Sequence, residues 1–185
     1  MDQHRAAIAH TGTPLLYVAA RGRVPMGTID IEHGNLTGYV DVCSVAHRTD
    51  ESYTVFVDQL AMADWLAARR VRLVVCAGYM RILPPAFLER FAGQVINVHP
   101  SLLPAFKGAH PIEDALAAGA SETGVTVHWV DEGVDTGPAI VQERVAVDYS
   151  EMPEALRARI QAVEHRLLPA TVRKLARELE AVEEL

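Results

Sequence analysis

Val95-Ile96-Asn97-Val98-His99-Pro100-Ser101-Leu102-Leu103-Pro104 reads as a short apolar strand running into a proline-rich loop. Asn97 and His99 are two residues apart, so an extended backbone points both side chains to the same side. Pro100 biases His99 toward an extended conformation and away from helix. Both polar groups then stand at the carboxyl end of a buried strand, where open α/β sheets place their ligand crevice. Asn97 offers an uncharged amide N–H donor, and His99 donates or shuttles a proton near neutral pH. The plainer reading is an Asn turning the chain and a His satisfying a loop carbonyl. Spacing alone leaves the two readings even.

The pattern on either side of this stretch is regular. Val71–Ala77 is an apolar run of the kind buried on both faces in a parallel sheet, ended by Gly78. Pro84-Pro85 opens a short helix through Phe91, and Ile112 to Ala118 forms a second, closed by Gly119. Thr123–Val130 is the next strand, with Val125, Val127 and Trp129 on one face and Thr126, His128 and Val130 on the other. An acidic turn, Asp131-Glu132-Gly133-Val134-Asp135-Thr136-Gly137-Pro138, leads into a strand over Ala139–Val147. Upstream, Thr49, Asp50 and Ser52 offer N-caps for a helix carrying Phe56, Leu60, Ala63 and Leu66 at helical spacing. The end is helical, with Leu156, Ile160, Val163 and Leu167 on one stripe and Pro169 expected to break or kink the helix beyond it. This alternation predicts an α/β domain with a mainly parallel sheet. In the first 48 residues, Leu15–Val18 and Thr28–Ile31 are short apolar pieces between Gly12, Gly22, Gly27, Gly34 and Gly38; strands and turns are plausible, but no period persists.

Composition narrows the class. The 185 residues fit one domain, 1–185, and half are hydrophobic with 22% charged, as in an ordinary globular protein. A net charge of −7 offers no field for gathering nucleic acid phosphates. Of the two cysteines, Cys43 and Cys76, the second lies in an apolar run and reads as a buried thiol; no CxxC pair is present. The N-terminus is polar without an apolar signal core, and no run approaches a membrane span, so a cytoplasmic location is expected with no membrane partner.

The acidic turn carries the second candidate. Asp131, Glu132 and Asp135 with Gly133 and Gly137 suit a solvated loop, and they lack the ligand order of a calcium loop. The functional reading is that Asp135 reaches His99 and holds its ring ready as an acid through opposite charge. His99, His110 and His128 match no metal spacing, so no metal is expected. There is no GxSxG elbow and no P-loop lysine, and Lys107 reads as a solvated side chain.

Ile96–Pro104, Gly124-Val125-Thr126-Val127-His128 and Val134-Asp135-Thr136-Gly137-Pro138 resemble the folate-dependent formyltransferases, and among them the phosphoribosylglycinamide formyltransferase family. Ala77-Gly78-Tyr79-Met80-Arg81-Ile82-Leu83 and Val163-Glu164-His165 resemble it at the expected places in the order. The likeness covers about residues 50 to 175, so residues 49–175 form the family-like core and residues 1–48 are atypical. It implies a Rossmann-like formyltransferase fold. It also implies transfer of a formyl group from 10-formyltetrahydrofolate, a cosubstrate, to the amine of glycinamide ribonucleotide in purine synthesis. No metal is needed, and a monomer or homodimer is expected.

By the same resemblance, Asn97, His99 and Asp135 match the catalytic trio and Thr126 supports it. Met80, Arg81, Ile82, Leu83, Val130 and Asp131 would line the folate site. Pro100 and Glu164 would meet the ribonucleotide, Glu164 at its amine end. The family opens with a glycine-rich loop that holds the ribonucleotide phosphate on backbone N–H groups. Its nearest counterpart here is His10–Leu16, with Gly12 and Thr13 as the candidates and Pro14 removing a donor. Residues 17 to 48 do not align with the family. Two alternatives stand beside the transferase: a formyltetrahydrofolate deformylase, which usually carries an extra N-terminal domain, and an inactive folate-binding remnant lacking the phosphate loop. A tRNA formyltransferase would need a C-terminal RNA-binding domain, for which the chain leaves no room.

Overall fold

A computed structural model describes residues 59–183 except 69 and 80, together with six short strand segments upstream. In chain order the strands are β1 (Leu16–Ala20), β2 (Ile29–Asp30), β3 (Asn35–Leu36), β4 (Ser44–Val45), β5 (His47–Thr49), β6 (Ser52–Thr54), β7 (Leu73–Ala77), β8 (Val95–His99), β9 (Glu122–Trp129) and β10 (Ala139–Ala146). The helices are α1 (Gln59–Ala68), α2 (Pro85–Arg90), α3 (Pro111–Ala117) and α4 (Pro153–Glu183). The main sheet runs β10-β9-β8-β7-β1-β4.

The α/β class is as the sequence predicts, and the sheet is mixed. β1, β7 and β8 are parallel neighbours, the arrangement expected from the apolar run at Leu73–Ala77. β9 and β10 run antiparallel, β9 against β8 and β10 against β9, and β4 is antiparallel to β1. The short acidic turn joins β9 to β10, and a turn of that length returns the chain as a hairpin where a parallel partner would need a long crossover.

Alternation along the strands divides the core in two. Leu73 and Val75 of β7, Ile96 and Val98 of β8, and Val125 and Val127 of β9 pack with Ile112 of α3 and with Leu156, Ile160, Leu168 and Val172 of α4. Val74, Cys76 and Val95 face the other way, onto Met62 and Leu66 of α1 and onto Leu83, Phe87 and Phe91. Asn97 and His99 share parity with Val95, so they lie on the α1–α2 face, past the end of that helical cover. The register sets His99 opposite Thr126 and Asn97 opposite His128, and directly opposed residues share a face. Four polar side chains therefore gather where β8 and β9 leave the core.

Two expectations are corrected. Thr49 and Ser52 do not cap a helix: they pair with each other across β5 and β6, while helix is described from Gln59. Phe56 lies outside the described residues. The long helix runs unbroken through Pro169. Proline in a helix costs about 3 kcal/mol. Leu167, Leu168, Val172 and Leu175 are all buried around it, and burying each such side chain gains about 1.5–3 kcal/mol, which outweighs that loss.

Candidate active site

His99 ends β8 with 4% of its surface exposed. Its Nδ1 lies 3.3 Å from Asp135 Oδ2, and its Nε2 lies 2.8 Å from the carbonyl oxygen of Phe106. Both ring nitrogens thus face oxygen acceptors, an arrangement that a ring protonated on each nitrogen satisfies in full. Asp135 comes from the β9–β10 turn with φ 52, a left-handed conformation that Asp tolerates better than most residues. Its Oδ2 also accepts the backbone N–H of Gly108 at 2.9 Å. That bond ties the acidic turn to the proline-rich loop and holds the carboxylate over the ring.

Asn97 Nδ2 lies 3.4 Å from His128 Nε2, and His128 Nε2 lies 3.7 Å from Asp135 Oδ1. His128 is buried, and loss of water pushes its pKa down, so it stays neutral near pH 7. The sequence pattern placed His128 on the Thr126 face but assigned it no part beside Asn97. The signal available was positional: a second polar residue two places along β9 from Thr126, on the face that meets Asn97 and His99.

Thr126 is buried and supports the loop. Its Oγ1 donates to Ser101 O at 2.7 Å and accepts from Leu103 N at 3.1 Å and Gln142 Nε2 at 2.8 Å. Asp131 closes its own turn, accepting from Gly133 N and Thr136 Oγ1. Val130 packs on the α1–α2 core and donates its N–H to Val95 O. Of the expected folate segment, Leu83 is packed into that core while Ile82 stays 71% exposed and Arg81 is exposed. Met80, Gly12 and Thr13 lie outside the described residues. Pro100 is half-buried beside His99. Glu164 stands on α4, the helix that covers the opposite face of the sheet, and loss of water alone pushes its carboxyl up to about 7. Among the described residues no group of His, Cys, Asp and Glu is arranged to hold a metal, and no helix is long and apolar enough to cross a membrane.

An α/β sheet whose edge gathers an amide, two imidazoles and, from the adjoining turn, a carboxylate holds donors and acceptors suited to acid–base chemistry. The chain belongs to the formyl transferase family, whose pattern matches residues 43–172. It is 54% identical over 117 residues to the phosphoribosylglycinamide formyltransferase of Mycobacterium tuberculosis, a match covering 63% of this chain and 54% of that protein. The structure is similar to glycinamide ribonucleotide transformylase 1 from Geobacillus kaustophilus, with TM-score 0.65 and 39% identity over 94% of this chain and 89% of that one. It is also similar to the phosphoribosylglycinamide formyltransferase of Bacillus halodurans, with TM-score 0.61 and 50% identity over 63% of this chain and 60% of that one. The chain spans about half the length of the Mycobacterium relative it matches.

Proposed function

We propose that the protein transfers the formyl group of 10-formyltetrahydrofolate to the primary amine of glycinamide ribonucleotide. The observation that carries the reading is the meeting of His99 with Asp135 at 3.3 Å, beside Asn97, at the end of β8. The amine nitrogen attacks the formyl carbon and pushes the carbonyl electrons onto oxygen, giving a tetrahedral oxyanion. Asn97 supplies an N–H to that oxygen, where preorganised donors contribute most, and His99, held by Asp135, reaches it by turning its Nε2–H from the Phe106 carbonyl to the substrate. The carbon–nitrogen bond to the folate then breaks as the oxyanion re-forms the carbonyl. The amine loses a proton and the folate nitrogen gains one, with Asp135 as the acceptor and donor of that proton. No covalent enzyme intermediate is needed. In this reading Thr126 keeps the loop in register beneath the trio, and Met80–Leu83, Val130 and Asp131 border the folate. Pro100 and Glu164 meet the ribonucleotide, with Gly12 and Thr13 toward its phosphate. Glu164 supports its part by being a half-buried carboxyl that loss of water pushes up to about 7, a group that a cationic amine would stabilise in its charged form.

Incubating the protein with the formyl donor and the ribonucleotide, and following folate absorbance, tests the reading. Turnover that requires the ribonucleotide supports it. Turnover without the ribonucleotide indicates hydrolysis of the donor, and folate binding without turnover indicates a remnant; either replaces the transferase reading. His99→Ala should lower kcat by about 10²–10³ while leaving the fold intact. Full activity in that variant removes His99 from its role.

A further inference from the structure

We infer that His128 is a positioning residue that sets the orientation of the Asn97 side-chain amide, and so decides which end of it is offered to the substrate. The reading starts from the hydrogen bonds of the ring. His128 Nδ1 lies 2.8 Å from the carbonyl oxygen of Trp129, a contact only a protonated nitrogen can make. A neutral imidazole carries one proton, so that bond fixes the tautomer and leaves Nε2 with a bare lone pair. Burial at 2% exposure, which pushes the ring's pKa down, keeps it neutral.

The bare Nε2 faces Asn97 directly across the β8–β9 pair. The amide Nδ2 lies 3.4 Å away, long for a hydrogen bond, so the contact orients more than it binds. Turning the amide over would set its carbonyl oxygen against the lone pair of Nε2. That repulsion explains why Asn97 Oδ1 is left buried with no hydrogen-bond partner among the described residues. An unpaired buried acceptor is unfavourable, and an amide free to rotate would seek relief by flipping. The Asp135 carboxylate, 3.7 Å from Nε2, is too distant to take over this contact. With one Nδ2 hydrogen given to His128, the second remains for the developing oxyanion, while Oδ1 is turned into the protein and away from the substrate. The consequence for catalysis rests on the transferase reading; the orientation itself does not.

Two variants of the full chain separate positioning from mere support. His128→Asn keeps a donor for the Trp129 carbonyl but has no acceptor at the place of Nε2. His128→Gln puts an oxygen acceptor close to that place. The expected result is a kcat for formyl transfer lowered about tenfold or more in His128→Asn, a fraction of the loss for deleting such a donor outright. KM for both substrates should stay within about twofold, and most of the loss should be recovered in His128→Gln. A kcat in His128→Asn within about twofold of the parent, with both variants folded, overturns the inference. A nitrogen NMR spectrum of the parent protein gives a second readout that needs neither turnover nor a variant. A bare Nε2 on His128 at pH 7.5 supports the inference, and a protonated Nε2 overturns it. If the parent protein transfers no formyl group at all, the transferase reading falls, while the nitrogen spectrum still decides the orientation.

Discussion

Thr126 uses its whole hydroxyl: one hydrogen donated to Ser101 O, and two lone pairs accepting from Leu103 N and Gln142 Nε2. This is why a β-branched residue with a hydroxyl, and not valine, occupies a fully buried place on β9. Thr126→Val keeps the shape but strands the Leu103 N–H and the Ser101 carbonyl. A buried group left without its partner costs about 1–3 kcal/mol, and urea unfolding should show a loss of that size. Thr126→Ser retains all three bonds and should lose less. Equal stability of the valine variant and the parent would mean that water or a shifted loop replaces these bonds. The resemblance gave Thr126 a supporting part and alternation gave its face, but neither gave its three bonds, because alternation along a strand says which side a residue is on and not what it bonds. His128 was harder still. A lone histidine in a strand has many uses, and only the register against β8 shows that it stands opposite Asn97.

The β9–β10 turn behaves as a unit. Asp131 accepts from Gly133 N and Thr136 Oγ1, Trp129 N donates to Pro138 O, and Asp135 Oδ2 accepts from Gly108 N. A β-carbon on Gly137 would collide with the carbonyl oxygen of Trp129, the oxygen that also accepts from His128 Nδ1. The obstruction is backbone, so the turn must move, carrying Asp135 with it. Gly137→Ala should therefore lower kcat by about tenfold or more, because misplacing a catalytic group by about 1 Å is enough to cost up to about 10². A circular dichroism spectrum should stay that of the parent, and unchanged kinetics would show that the turn absorbs the shift away from Asp135. This element was readable from its glycines and prolines. The helix caps were not: Thr49 and Ser52 favour caps locally, yet their pairing across β5 and β6 settles them as strand. Pro169 does not end the helix for the same reason, since local propensity omits the apolar stripe that binds α4 to the sheet.

Over the whole molecule, a buried histidine and a half-buried carboxyl set opposing slopes of stability against pH. His128 has a folded-state pKa pushed below its ordinary 6.5, so the unfolded chain binds its proton more readily. Its contribution is present above about 6.5 and is lost as pH falls through the lower folded value. Glu164 is the reverse: its carboxyl is pushed up from the ordinary 4.5 to about 7, so the folded protein holds that proton more tightly. Its contribution is full below 4.5 and disappears as pH rises through about 7. In the proposed site this cost has a use, because a carboxylate short of water gains more than an exposed one when a cationic amine arrives beside it. Glu164→Gln removes the second slope and leaves the first. The thermal midpoint of the variant should then stay level or rise between pH 5 and 8, where that of the parent falls relative to it, and KM for the ribonucleotide should increase with kcat little changed. A variant whose midpoint tracks the parent across that range would show that Glu164 is solvated in the folded protein, and its place at the amine would lose its physical basis.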